Sequence, residues 1–242
     1  MVIPERDKVF YPEEAIGLMG AVRGDIIADV GGSSGYFTFP LARAVGPEGK
    51  VYLVEHDLPG DLERFLRGRL VDPGLNPYGN IEIVRNRSDD ITLPEESLDM
   101  ALLCCVGMLL VDGEELADPA YREHFATQRK MVESIHGALK PGGKLVLIEL
   151  REEERDRKGE MSFEKFFGLV RDEKAVIDNY AKAGFKLERT CDLYSDPRHF
   201  ESIRSFRKMP VYRHLSPLMR ELLAHEMIFF IFEKPGKKEI RS

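Results

Sequence analysis

Cysteine is scarce in this 242-residue chain, which holds Cys104, Cys105 and Cys191, two of them adjacent. Three thiols support neither a disulfide framework nor a four-cysteine zinc site, and no set of His, Cys and carboxylates has metal-ligand spacing. Long apolar runs are missing, so nothing approaches the ~20 residues of a membrane helix. Met1–Arg6 carries Pro4, Glu5 and Arg6 and no apolar stretch, which predicts no signal peptide. Excess positive charge is also missing. With 35 Lys+Arg against 42 Asp+Glu the net charge is −7, which argues against a uniformly basic nucleic-acid binder. Side-chain amides are few (Gln128, Asn76, Asn80, Asn86 and Asn179) while charged residues reach 32%, a bias shared by heat-adapted proteins. There is no internal repeat and no low-complexity linker. What remains is a cytoplasmic protein, 43% hydrophobic and able to build the core of one large α/β domain spanning 1–242.

Apolar periodicity alternates between strand and helix. Strands are expected at Ile26–Val30, Lys50–Glu55, Asn80–Val84, Leu98–Val106, Lys144–Leu150, Phe185–Leu193 and Met227–Glu233. Helices are expected at Glu13–Val22, up to about Val45, and at Asp61–Leu70, Tyr121–Leu139, Phe163–Val170 and Glu173–Ala183. Tyr121, Phe125, Met131, Val132, Ile135 and Leu139 share one helical face, read as core, and Lys140-Pro141-Gly142-Gly143 is the stop. This alternation predicts a Rossmann-like, doubly wound, seven-stranded sheet. It should be mostly parallel, with the last strand antiparallel. The charged run Arg151–Glu160 reads as solvated, His136 as structural and Cys191 as a buried strand residue.

The first strand runs into Asp29-Val30-Gly31-Gly32-Ser33-Ser34-Gly35, and the second ends at Glu55. Glycines let backbone approach a ligand, the following helix offers its first amides, and an acid after the second strand can accept both ribose hydroxyls. A dinucleotide fingerprint requires G-x-G-x-x-G, but neither Gly31 nor Gly32 starts one, and no phosphate-cradling G-x-x-x-x-G-K-[ST] is present. A pyrophosphate ligand is therefore disfavoured.

Residues Gly24–Glu55, Asn80–Val106 and the segment Leu139–Glu149 (LKPGGKLVLIE) resemble class I S-adenosylmethionine-dependent methyltransferases. They are similar to the group that includes the ubiquinone/menaquinone-biosynthesis enzymes. The resemblance covers about residues 10–150, and the two terminal strands match in pattern alone. It implies S-adenosylmethionine as cofactor, with S-adenosylhomocysteine as product. It further implies that Asp29 organises the loop and reaches the methionine amino group. Gly31, Gly32, Ser33 and Gly35 would pass the methionine and ribose, and Glu55 would take the ribose hydroxyls. His56 would lie beside the adenine, Ser88 would offer its amide to the ring, and Cys104 or Cys105 would line the methionine end. Two positions depart from the family: Ser33 stands where glycine is usual, and Arg87 where an acid usually meets the adenine amino group. Arginine cannot accept that hydrogen bond, which leaves Asp89 or Asn86 to substitute.

Methyl transfer needs alignment and exclusion of water, and needs a general base only for a protonated acceptor. Glu149, His199 and His214 are the candidate bases. An Asn-Pro-Pro-Tyr type of motif is missing, and Cys104-Cys105-Val106-Gly107 stands in its place, which argues against methylation of base amino groups. Phe10 and Tyr11 either fold over the cofactor or pack as an aromatic pair. Asp112–Ala120 lengthens the connection after the fourth strand. Residues 197–225 form a lid-like insert that carries Arg198, Arg204, Arg207, Lys208, Arg213 and Arg220 against Glu201 and Glu221, suiting an anionic or aromatic small molecule. The expected activity is methylation of a small-molecule acceptor. The alternatives are an RNA or protein methyltransferase, and a non-catalytic binding protein on the same scaffold.

Overall fold

The computed structural model of the protein describes residues 10–106, 119–151, 173–198, 201, 204, 205, 208 and 227–236. In chain order these hold α1 (Pro12–Met19), β1 (Ile26–Val30), α2 (Thr38–Val45), β2 (Lys50–Glu55), α3 (Gly60–Leu70), β3 (Ile81–Arg85) and β4 (Leu98–Cys104). There follow α4 (Pro119–Ala138), β5 (Leu139–Leu150), α5 (Glu173–Lys182), β6 (Lys186–Thr190) and β7 (Met227–Glu233). One sheet of seven strands has the order β3-β2-β1-β4-β5-β7-β6. Pairings β3-β2, β2-β1, β1-β4 and β4-β5 are parallel, and β7 is antiparallel to both β5 and β6. The expected Rossmann-like α/β sheet is observed, and β6 runs in the same direction as the parallel strands.

Central strands bury both faces, as crossover helices require. On β7, Met227, Phe229 and Ile231 join one core with α1, α2 and α3, while Ile228, Phe230 and Phe232 join the other with α4 and α5. In the second core Tyr180 stacks on Phe232, with centroids 4.8 Å apart. His136 meets Phe185 edge-on at 4.9 Å, and burial lowers its pKa, in keeping with a structural histidine. Met131, Val132 and Ile135 of α4 face this core, and Cys191 is buried in the other.

Several boundaries differ from the sequence expectation, with β3 at Ile81–Arg85 rather than Asn80–Val84, β4 ending at Cys104 rather than Val106 and β6 spanning Lys186–Thr190 rather than Phe185–Leu193, and two of the differences have local reasons. Helix α1 ends at Met19 rather than Val22, because Gly20 takes φ 77 and its N–H turns back to Ile16 and Gly17. The Lys-Pro-Gly-Gly segment is not a loop between helix and strand. It is an interruption inside β5, whose pairing skips from Leu98↔Leu139 to Met100↔Lys144. Gly142 takes φ 80 there and donates to the Lys234 carbonyl at 2.8 Å. The expected helix Phe163–Val170 lies outside the described residues.

Candidate functional site

Strand β1 lies between β2 and β4, so the connections leaving the carboxyl ends of β1 and β4 diverge and open a crevice. The loop Gly31–Gly35 lines it. The Gly31 N–H donates to the Val54 carbonyl at 2.8 Å, and Gly35 N–H to the Gly32 carbonyl at 2.8 Å. At φ 74 a side chain on Gly31 would be strained, and its Cβ would meet Val106 Cγ1 at 2.4 Å. Ser33 takes φ 49, the left-handed conformation that the family's glycine would adopt without cost.

Two acids flank this loop, one at the end of β1 and one at the end of β2. Asp29 lies beneath it, 2% exposed, and accepts a hydrogen bond from Thr38 Oγ1 at 2.5 Å. Burial pushes the Asp29 carboxyl up to about 6, with the Thr38 hydroxyl opposing the rise and Glu55 adding to it. Glu55, at the end of β2, accepts the Ser33 N–H at 2.5 Å, and burial holds its pKa above the usual carboxylate range. A third tie, absent from the sequence expectation, is Arg69 of α3. It donates to the Ser34 carbonyl at 2.9 Å while its guanidinium rests 4.2 Å over the Phe39 ring. Burial lowers the Arg69 pKa.

Beyond Glu55 the chain forms a compact turn. His56 Nδ1 lies 3.4 Å from the Asn86 carbonyl, and the Asn86 N–H donates to the Glu55 carbonyl at 3.1 Å. Arg87 is exposed and pairs through Nε with Asp89 Oδ1 at 3.3 Å, while Ser88 sits in the turn that the Arg87–Asp90 bridge closes. Asp89 is thereby engaged. The Asn86 side chain donates to the Arg87 carbonyl at 2.8 Å, while its Oδ1 is buried and accepts no hydrogen bond among the described residues. Both expected substitutes for the missing acid retain acceptor capacity, Asn86 through its buried Oδ1 and Asp89 through the oxygen not paired with Arg87.

At the end of β4, Cys104 and Cys105 are half-buried. Glu149, expected at the cleft, is instead fully buried, and its Oε1 accepts the Val106 N–H at 3.0 Å. That geometry makes it a positioning group for the β4 loop rather than a solvent-facing base. Phe10 is buried and meets Tyr36 edge-on at 5.7 Å, with its carbonyl accepting a hydrogen bond from Tyr194 Oη at 2.9 Å. Tyr11 lines a shallow pocket with Glu14, Leu193, Asp196 and Arg198. His199, His214, residues 112–118 and most of the 197–225 insert lie outside the described residues. In that insert Arg198 Nη2 pairs with Asp196 Oδ2 at 2.8 Å. No group of three or more metal-binding side chains occurs among the described residues, and no described helix is long and apolar enough to cross a membrane.

No protein-family model matches the chain. It is 27% identical over 139 residues to a ubiquinone/menaquinone biosynthesis C-methyltransferase, UbiE, of Hydrogenovibrio crunogenus, covering 57% of this chain and 47% of that protein. The UbiE of a Marinomonas species is 23% identical over 186 residues, covering 77% and 66%. The chain therefore spans about half to two thirds of the length of these curated relatives. Among solved structures, a SAM-dependent methyltransferase from Aquifex aeolicus aligns with TM-score 0.63 at 21% identity, covering 96% of this chain and 94% of that one. A geranyl diphosphate methyltransferase in complex with SAM aligns with TM-score 0.67 at 12% identity, covering 93% and 84%. At these identities the structures share the fold with this chain.

Proposed function

We propose that this chain, which belongs by fold and sequence with the class I S-adenosylmethionine-dependent methyltransferases, binds S-adenosylmethionine and methylates a small-molecule acceptor. The observation that carries the reading is the convergence of three segments on one crevice: the glycine loop, the Glu55 carboxylate, and the β4 end held by Glu149. The residues fit the cofactor. Glu55 spends one oxygen on Ser33 and keeps acceptor capacity for a ribose diol. Asn86 Oδ1 is an orphaned acceptor beside the turn proposed to meet the adenine, where the family's acid is replaced by Arg87. Val106 against Gly31 leaves no room for a larger residue in the loop.

Bound S-adenosylmethionine supplies a sulfonium-activated methyl group for in-line displacement. The work of the chain is alignment and exclusion of water. Glu55 holds the ribose hydroxyls, with His56 and the Ser88 amide at the adenine. Asp29 supports the loop from below and, when ionised, favours a cationic ligand above it. Cys104 and Cys105 line the methionine end. The basic residues of the insert 197–225 suit an anionic or aromatic acceptor. Replacing Arg204, Arg207 and Arg213 by alanine lowers methyl transfer while cofactor affinity is kept. Unchanged turnover would remove that role.

The deciding experiment is calorimetric titration of the wild type and Glu55→Ala with S-adenosylmethionine and S-adenosylhomocysteine. Micromolar binding is expected in the wild type, weakened ~100-fold in the variant, since hydrogen bonds to a charged group contribute ~1.5–3 kcal/mol each. Absence of binding to the wild type overturns the cofactor reading. It would favour the non-catalytic alternative, for which the Arg87–Asp89 pair, standing where the family has an acid, is the observation.

A further inference from the structure

Along β4, side chains alternate between the two cores. Met100, Leu102 and Cys104 pack with α1, α2 and α3, whereas Ala101 and Leu103 pack with α4 and α5. Continued alternation would send Cys105 to the second core. Instead Cys105 takes φ 53 and packs against the first core beside Cys104. A left-handed residue that is not glycine costs ~1–2 kcal/mol, and here it turns the second thiol to the side of the first. Both cysteines are half-buried thiols at the mouth of the crevice, and Tyr194 lies within electrostatic reach of both.

We propose that Cys104 and Cys105 form an oxidisable dithiol whose closure to a disulfide shuts the neighbouring cofactor site. The oxidant is a hydroperoxide. One thiolate attacks a peroxide oxygen, breaking the O–O bond to give a sulfenic acid and, from hydrogen peroxide, one water. The neighbouring thiol then displaces the sulfenic hydroxyl as a second water and forms the S–S bond. Two electrons and two thiol protons leave the protein, and one peroxide becomes two waters.

Adjacent Cα atoms are ~3.8 Å apart, closer than the ~4.4–6.8 Å of ordinary disulfides. Closure must therefore re-form the peptide between the cysteines. That peptide carries the Cys105 N–H, which donates to the Ile148 carbonyl at 2.8 Å, and it leads into Val106, whose N–H is held by Glu149 at 3.0 Å. Movement there displaces Val106, whose side chain fills the space beside Gly31 that a Cβ would need. Strained disulfides are the readily reduced, regulatory kind, so closure is reversible.

The effect on the site rests on the methyltransferase reading, whereas the bond itself does not. The test uses the full chain, reduced and then treated with hydrogen peroxide. Intact mass should fall by about 2 Da and the thiol count from three to one, with the bond in the peptide containing Cys104 and Cys105. S-adenosylhomocysteine affinity should drop ~10-fold or more (about 1.4 kcal/mol) and return with a phosphine reductant. Cys191→Ser should behave as the wild type, and Cys105→Ser should take up oxygen instead of losing mass. An unchanged thiol count, a bond to Cys191 or a bond between chains overturns the proposal, as does closure that leaves affinity intact. Failure of the reduced protein to bind any cofactor would instead sink the methyltransferase reading, while the mass measurement still decides the dithiol.

Discussion

On one side of β1, strands β2 and β3 pair in parallel and each delivers the chain directly to the crevice, at Glu55 and at the Asn86–Asp90 turn. On the other side, β7 enters antiparallel between β5 and β6, and its aromatic residues fill both cores. The parallel flank spends polar groups on its loops: Asp29 on Thr38, Glu55 on Ser33, Arg69 on Ser34. The antiparallel flank buries Phe229, Phe230 and Phe232 completely. The difference teaches that ligand chemistry and bulk stability are carried by different strands of one sheet, so substitutions should separate them.

The largest effect is expected from Phe230→Ala. Its ring is fully buried and meets Phe232 at 5.9 Å. Truncation of such a ring costs ~3–5 kcal/mol of stability, read from denaturant unfolding. Cofactor affinity of the folded fraction should stay within about twofold, roughly 0.4 kcal/mol. A large loss of affinity in folded protein would show that the flanks are not separable.

Asp29 should show the opposite signature. Its folded pKa of about 6 lies above the reference 3.8, so the native state binds more protons between these values. The stability this contributes is present below about pH 4 and is lost as pH rises through about 6, in total ~3 kcal/mol. Asp29→Asn should flatten that part of the wild-type stability profile. Affinity for the cationic cofactor should rise through the same interval in wild type and stay level in the variant. Parallel profiles for the two proteins would remove Asp29 as the titrating group.

Arg69→Lys keeps the charge but loses the planar stack on Phe39. We expect ~1–2 kcal/mol lower stability and a several-fold weaker cofactor. Equal affinity would mean that the Ser34 tie does not shape the loop.

Legibility in the sequence followed the same division. β1, β2 and β7 carry dense β-branched or aromatic runs, and their observed ends match the expectation at both termini. Asp29, the glycines and Glu55 were readable because each lies next to a strand end. Thr38 and Arg69 were not, since their partners depend on how α2 and α3 dock: Arg69 is 35 residues from Ser34. Glu149 was legible as a strand-end acid, but its burial depends on the face that strand alternation assigns to it. The Pro-Gly-Gly segment read as a helix stop because local propensity favours a turn there, while pairing to β4 and to Lys234 made it part of β5.

Ser33→Gly is the smallest and sharpest test of the parallel flank. Ser33 holds φ 49 while its N–H reaches Glu55 at 2.5 Å, so its contribution is made by the backbone and its Cβ brings conformational cost. Glycine relieves that cost in the folded state but gains freedom in the unfolded chain, which offsets part of the relief. The net expectation is a gain of up to ~1 kcal/mol in stability, with cofactor affinity equal to or above wild type. Loss of affinity would mean that the Ser33 hydroxyl itself meets the ligand. The departure from the family's glycine would then be a recognition element of this chain rather than a strained stand-in.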